Sequence, residues 1–560
     1  MSSGNSATSV AQELSNAAPN ATRQSETLSF VFSMLLNPEF LLIEALVILS
    51  ALSIIWLGAH GSLRRPPSAA PPDPKSKKGK KDEQFTEGLS ASDAILLPIL
   101  AGTVLIGLYY LMEWLQDPDI VNKVLRVYMS TMSIASMGRL SGDALDVLTS
   151  LVFPSMWVDR RGKLFRIDAG RRCQVLVNHA AGTETLAEGK RTPFPGFLSE
   201  ARLSDRVGSL AWEIRHLLTE EWTVRLAAHG LFFVEFDIKL NSLLGFPISV
   251  LAAIAYYTTH WTALSNLLGS AFGYASFSML SPTSFRIGTL VLAGLFVYDI
   301  VMVFYTPFMI TVAEKVDAPI KLVFQDTSGV SILGLGDIII PGILMALALR
   351  FDLYQYYKAR IRQETVELKK EFPVPSSEET IKIAHVDYRR VKAPYIDSQG
   401  QWGTRFWTTK LGKSLPVPAA TSATSATTFP KTYFYASIMG YAFGMVLAMT
   451  VLLIFRHGQP ALLYLVPCVT GSLWFTGWVR GELTDMWNYT EDGSLDTEDV
   501  IVEEDGDGQV VAKAPRDSTP NEDALNGDGQ TGARWERNPA GYTVFLLSIT
   551  APRHNAPKRD

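Results

Sequence analysis

"GLFVYDIVMVFY" occupies Gly294–Tyr305, and "SILGLGDIIIPG" occupies Ser331–Gly342. Each stretch is apolar on both sides of one acid, Asp299 in the first and Asp337 in the second. Asp299 is the only charged residue from Ile287 to Tyr305, and Asp337 the only one from Ser328 to Leu349. A charge at the centre of a bilayer costs about 2.5–3.5 kcal/mol on insertion scales, so an acid kept there marks function. Both stretches read as membrane spans, and consecutive spans run antiparallel. Asp299 lies about seven residues before the end of its span, roughly 10 Å. Asp337 lies about nine residues after the start of the next, roughly 14 Å. The spacing therefore predicts two carboxylates at one depth, able to face each other.

Outward from this pair, the 560-residue chain is 47% hydrophobic, with long apolar runs separated by long polar ones. Runs of about 18 or more apolar residues read as spanning helices. Nine are found, at 39–59, 94–114, 119–138, 242–258, 262–280, 287–306, 328–349, 433–455 and 460–478. The third is the weakest, since it carries Lys123 and Arg126. Trp56, Trp114, Trp261 and Trp478 stand at span ends, as interfacial anchors do. The expected fold is an all-α polytopic membrane protein of about nine helices, with cytosolic inserts and a disordered acidic tail.

Seven basic residues lie between Arg64 and Lys81, which places the 60–92 linker in the cytosol. Alternation from there makes 1–27 lumenal and the C-terminus cytosolic. Asn20, in Asn20-Ala21-Thr22, is then a glycosylation candidate on the lumenal side. The chain divides into a lumenal segment 1–27, spans one to three in 28–138, a cytosolic insert 139–241, and spans four to seven in 242–349. A cytosolic loop 350–432, spans eight and nine in 433–478, and the tail 479–560 follow. The Pro/Lys-rich 64–92 is expected to lack fixed structure. In the first insert "KLFRIDA" and "CQVLVNHA" read as strands, and "RVGSLAWEIRHLLTEEWTVRLAAHG" as an amphipathic helix suited to a membrane surface. The tail has nine acids and no base from Glu491 to Asp507, a disordered composition. With two cysteines, Cys173 and Cys468, no disulfide framework or metal-ligand spacing is expected. No cofactor, metal or nucleic-acid partner is implied.

Two facing carboxylates in a low dielectric cannot both ionise cheaply, so they share a proton. The half-ionised pair suits hydrolysis by water: one member takes a proton from water and the other protonates the attacked carbonyl. Gly334 and Gly336 flank Leu335 just before Asp337, which weakens the helix and lets a second backbone approach. Pro341 cannot donate to the Asp337 carbonyl, which loosens the same turn. Gln459-Pro460-Ala461-Leu462 opens the ninth span and, by itself, reads as a helix start.

Taken together, Tyr298-Asp299, Gly334-Leu335-Gly336-Asp337 and Pro460-Ala461-Leu462 resemble the YD, GxGD and PAL motifs of presenilin-type intramembrane aspartyl proteases. "APIKLVF" (318–324), "LGLGDIIIPGI" (333–343), "LRFD" (349–352), "TYFYAS" (432–437) and "QPALLYLVP" (459–467) are similar to its signal peptide peptidase branch. The resemblance implies nine spans with a lumenal N-terminus, residence in the endoplasmic reticulum membrane, and cleavage of type II-oriented segments such as leftover signal peptides. It implies Asp299 and Asp337 as the catalytic pair. It implies site-shaping roles for Gly334–Gly336 and Gln459–Leu462. Membrane-bound transcription-factor precursors remain open as substrates, as do degradation-machinery partners and homo-oligomers. The closing "NAPKRD" does not read as a dilysine retrieval signal, because Pro557 precedes Lys558. Tyr298 either hydrogen-bonds near the pair or only packs. Glu44, in the first span, is a structural polar contact or lies near the interface. A carboxylate-based transporter or channel, and a non-proteolytic scaffold for membrane-protein degradation, are the competing functions; neither predicts a cut peptide.

Overall fold

A computed structural model describes residues 38–70, 88–115, 118–159, 161–178, 183–187, 189–228, 232–315, 320–326 and 329–373. It further describes 380–396, 399, 402–408, 429–455, 459–495, 501–504, 510–514 and 545–551. Asn20 and the rest of 1–37 lie outside the described residues.

Each of the nine apolar runs contains a long helix. These are α1 (Pro38–Gly61), α2 (Asp93–Leu115), α3 (Pro118–Val152), α4 (Leu240–Thr259) and α5 (Thr262–Met279). They continue with α6 (Phe285–Phe304), α7 (Leu335–Lys358), α8 (Thr432–Phe455) and α9 (Leu462–Arg480). Six of them, all but α3, α5 and α7, are long and apolar enough to cross a membrane. The protein is thus a polytopic helical membrane protein, with α7 at the centre. Leu344 through Leu349 are each at most 1% exposed. A helix buried on all sides needs neighbours all round, and α1, α5, α6, α8 and α9 supply them. Small residues set the closest approach. A Cβ on Gly245 of α4 would stand 2.6 Å from the Gly138 carbonyl oxygen of α3, so the two backbones touch.

The structure corrects several expectations. The seventh run is not one helix from 328. Gly329–Gly334 is a strand, β8, paired antiparallel with β7 (Lys321–Asp326), and α7 starts only at Leu335. Glycines at both ends of β8, and Val330 and Ile332 within it, favour the extended form over helix. The weak third run extends to Val152, past the predicted boundary at 138. The predicted amphipathic helix stops at Thr219 (Asp205–Thr219), and "EWTVRLAA" is a strand. Its alternation, with Trp222, Thr223 and Val224 at the start, is that of a sheet.

The first insert holds a four-stranded meander, β1 (Met156–Val158), β2 (Leu164–Asp168), β3 (Cys173–Asn178) and β4 (Thr183–Leu186). β2 and β3 fall on the two strands read from sequence. Trp212 of the Asp205–Thr219 helix packs with Trp157 and Phe165 of the meander. The hairpin β5 (Glu221–Ala228) and β6 (Phe232–Lys239) follows. In the second insert β9 (Arg362–Pro373) pairs with β10 (Thr380–Val391).

The described parts of the linker and the tail are more ordered than their composition suggests. Leu63, Ser68 and Ala69 are buried, and the Ser68 hydroxyl donates to the Tyr354 carbonyl at 2.8 Å. After α9 a short helix, Leu483–Asn488, brings Met486 and Tyr489 into the core. Farther on, β11 (Ile501–Glu504) and β12 (Val510–Ala514) extend the β9–β10 sheet, and β13 (Phe545–Thr550) pairs with β5. A tail disordered from 479 is therefore incorrect for its described parts. Acidic composition was no bar to order, because some of these acids meet cations of the fold.

Candidate active site

The Ser284 side chain opens α6 by accepting from the Ile287 amide at 3.3 Å, an N-cap. The helix then carries Asp299 into the core, where it is 3% exposed. Its Oδ2 accepts a hydrogen bond from the Leu462 amide at 3.0 Å. That amide belongs to the first residue of α9, directly after Pro460 and Ala461. The turn before α9 thus presents a backbone donor to the acid of α6. Tryptophan 474 fastens the same two helices a few turns away, its Nε1 donating to Thr289 Oγ1 at 3.2 Å.

Asp337 sits in the first turn of α7, straight after the β7–β8 hairpin. The Leu335 amide donates to the Ile320 carbonyl at 3.0 Å, so the last strand is pinned where the helix begins. Asp337 lies within electrostatic range of Asp299. The two acids are thus near enough to feel each other's charge, and the chain reaches Asp337 through a strand and not through nine residues of helix.

Pro341 leaves the Asp337 carbonyl without its usual helical donor. The Tyr441 hydroxyl of α8, fully buried, donates to that oxygen at 3.3 Å. Tyr441 was not singled out in the sequence. The signal was there in principle: a helical carbonyl four residues before a proline needs a partner, and buried carbonyls find one.

The other predicted positions divide. Gly334 is the residue before the first turn of α7, and a Cβ there would stand 3.4 Å from Asp337 Oδ2. Gly336 is exposed, and a Cβ there meets only Ile340 Cδ1 at 3.8 Å. Gly334 and not Gly336 is the one that crowds the acid. Leu335 is buried. Pro460 and Leu462 are buried around the Asp299 contact, with Ala461 between them half-buried. Gln459 Oε1 accepts from the Tyr464 hydroxyl at 3.3 Å, tying the turn to the next one. Tyr298 is half-buried and its ring lies beside Gly102 of α2. Glu44 of α1 sits near β8, with Ser331 Oγ 3.5 Å from its Oε1.

The opposite half of α7 carries charges of another kind. The Arg350 Nε donates to Glu491 Oε1 at 2.8 Å, and its Nη1 and Nη2 reach Ser62 and Ser281. Arg64 also pairs with Glu491, and the Tyr489 hydroxyl donates to it at 2.7 Å. Burial alone would push the Glu491 carboxyl up, but the two guanidiniums and the phenol outweigh it and hold it below the usual range. Asp352 accepts from the Tyr433 and Phe434 amides at 3.1 and 2.9 Å, capping α8. "LRFD" therefore works as two separate clasps, from α7 to the chain after α9 and from α7 to α8.

A family profile described as signal peptide peptidase matches residues 80–493, more than half of the chain. Human signal peptide peptidase is similar at 25% identity over 476 residues, covering 83% of this chain and 88% of its own length. Intramembrane protease 2 of Caenorhabditis elegans is 32% identical over 249 residues, 43% of this chain and 40% of its own. A probable intramembrane protease of Schizosaccharomyces pombe is 30% identical over 262 residues, 46% and 65%. The matched region includes both acids and the turn that contacts Asp299. The chain belongs to the signal peptide peptidase family and is an intramembrane aspartic protease.

Proposed function

We propose that Asp299 and Asp337 are the catalytic pair and that a water between them hydrolyses a peptide bond of a membrane segment. The observation that carries this reading is the meeting of three separate sequence motifs at one point, with the Leu462 amide on Asp299 and Asp337 in range. In the resting pair one carboxyl is protonated and the other ionised. The ionised one takes a proton from water as the oxygen attacks the substrate carbonyl carbon, and the protonated one gives its proton to the carbonyl oxygen. The resulting diol collapses as one hydroxyl gives its proton to the ionised member, the C–N bond breaks, and the amine leaves with the proton of the other member. Atoms and charge balance without a covalent enzyme intermediate.

The substrates we infer are type II-oriented segments, including leftover signal peptides, with membrane-bound transcription-factor precursors a further class. Glu491, after the last span, pairs with Arg64 at the start of the basic linker, which supports a cytosolic C-terminus and a lumenal N-terminus; residence in the endoplasmic reticulum membrane is inferred from the family resemblance. Gly334 and the edge of β8 favour an extended substrate at the acids, because the glycine leaves room beside Asp337 Oδ2. The test is cleavage of a signal-peptide-like segment by purified enzyme in detergent, with products weighed by mass spectrometry. Two fragments from the wild type and none from Asp299→Ala or Asp337→Ala support the reading. Ion flux in vesicles with an uncut peptide would replace it with the transporter.

A further inference from the structure

The sheet β13–β5–β6 joins a strand near the C-terminus to a hairpin of the first insert, and its two faces differ. Register places Leu547, Leu226 and Val234 in one row, and Ile549, Val224 and Phe236 in the next. These rows point to the same side, since paired residues share a face. The other side carries Ser548, Arg225 and Glu235, then Thr550, Thr223 and Asp237, with one apolar row, Leu546, Ala227 and Phe233, at its far end. That polar side is satisfied within itself: Arg225 bonds Glu235 at 3.1 Å and Thr223 bonds Asp237 at 2.8 Å. The apolar side is open along its two outer strands, while Val224 of the central strand is buried. Phe545 is 62% exposed and Leu547 58%, and Ile549, Val234 and Phe236 are exposed with them.

What covers this face follows from where the sheet is attached. β6 ends at Lys239 and α4 begins at Leu240, with no linker between them. Lys239 is held at this junction by Asp146 of α3 at 3.0 Å. The sheet is therefore fixed at the point where a membrane helix starts. The outer surface of α4 is exposed and apolar from its first turns, through Leu244, Phe246 and Leu251. The helix Asp205–Thr219 packs beside α4 and leaves its own stripe of Val207, Leu210 and Ile214 exposed, a helical spacing. Two apolar surfaces exposed among the described residues thus stand beside the start of a helix whose own outer surface is apolar.

We propose that the β13–β5–β6 sheet lies on the membrane surface, with its Phe545/Leu547/Ile549 face in the boundary between headgroups and acyl chains. The Asp205–Thr219 helix lies beside it with its Val207/Leu210/Ile214 stripe in the same layer. The insert and the last strand of the chain together form a peripheral platform on the lipid, with Arg225, Glu235 and Asp237 facing water.

The test uses the full chain in phosphatidylcholine proteoliposomes. A benzophenone side chain is placed singly at residue 545, 547 or 549, and at 548 or 550 on the other face. After illumination, adducts are identified by mass spectrometry. Lipid adducts at 545, 547 and 549, at least tenfold more abundant than at 548 and 550, are expected. Protein adducts at the first three positions would show that a partner or a second copy covers the face. Equal lipid labelling of both sets, or none at either, would show that the sheet does not lie on the bilayer. Each of these three results overturns the proposal. Peptide cleavage by each labelled variant checks that it is folded.

Discussion

The two ends of α7 treat charge in opposite ways. At the hairpin end Asp337 has a companion acid in range, and among the described residues no side chain or amide donates to its carboxylate. About four turns away, Asp352 accepts two backbone amides and Arg350 has three partners. Buried polar groups that are fully paired hold a structure together; one left to a shared proton is available for chemistry. The same helix thus separates reaction from fastening along its length, and substitutions should separate the two effects in turn.

The largest effect is expected at the reacting end. Asp337→Ala and Asp299→Ala should each lower turnover by roughly 10²–10⁴ or more, since neither acid alone can perform both proton transfers. Unfolding temperature and yield should stay near wild type. A single variant that keeps a tenth of the turnover would mean the other acid does not need it.

At the fastening end the order reverses. Arg350→Met leaves Glu491 with Arg64 and the Tyr489 hydroxyl and should cost about 3 kcal/mol of stability, the low end for breaking a buried pair, read as a fall in unfolding temperature in detergent. Turnover per folded molecule should change little. Replacing both Arg350 and Glu491 by apolar residues should cost less than the sum of the single changes. The clasp also has a pH signature. Glu491 in the folded protein lies below its unfolded value of about 4.3, so its contribution is present above that pH and lost as pH falls through the folded value. Glu491→Gln should flatten that acid limb of the stability curve. Cutting the chain after Arg480 should abolish the folded enzyme, whereas cutting after Leu495 should leave peptide cleavage intact.

Two smaller effects refine the boundary. Gly334→Val should reduce turnover roughly tenfold, about 1.4 kcal/mol in barrier, because its side chain arrives beside Asp337 Oδ2. Gly336→Val should do less, since that position is open. Equal losses from both would point to chain stiffness as the cause, not crowding. Smallest of all, Asp352→Ala should cost about 1 kcal/mol, the usual loss when a helix-capping side chain is removed, with turnover unaffected.

The membrane architecture was legible because the bilayer imposes a length and a composition on each span, and all nine runs hold a helix. The two acids stood out for the same reason: Asp299 and Asp337 are anomalies against an apolar background. Long-range pairing left no such trace. Nothing local in "NYTEDG" tells that Glu491 meets Arg350 and Arg64, residues far away in sequence, so charge density alone suggested a loose tail. β8 was missed because Val330, Ile332 and Leu333 suit a strand or a span equally well. Tyr441 was missed because its partner is a carbonyl, which every residue has.

The turn that ends at Leu462 has one more consequence. Asp299 accepts from the first amide of α9, and Asp337 lies in the opening turn of α7. Both acids therefore sit at the positive end of a helix macrodipole, each end equivalent to about half an elementary charge. The pair must carry one negative charge away from water. Two helices aimed at it can hold that charge wherever it rests, on one oxygen or the other, while the proton moves between them.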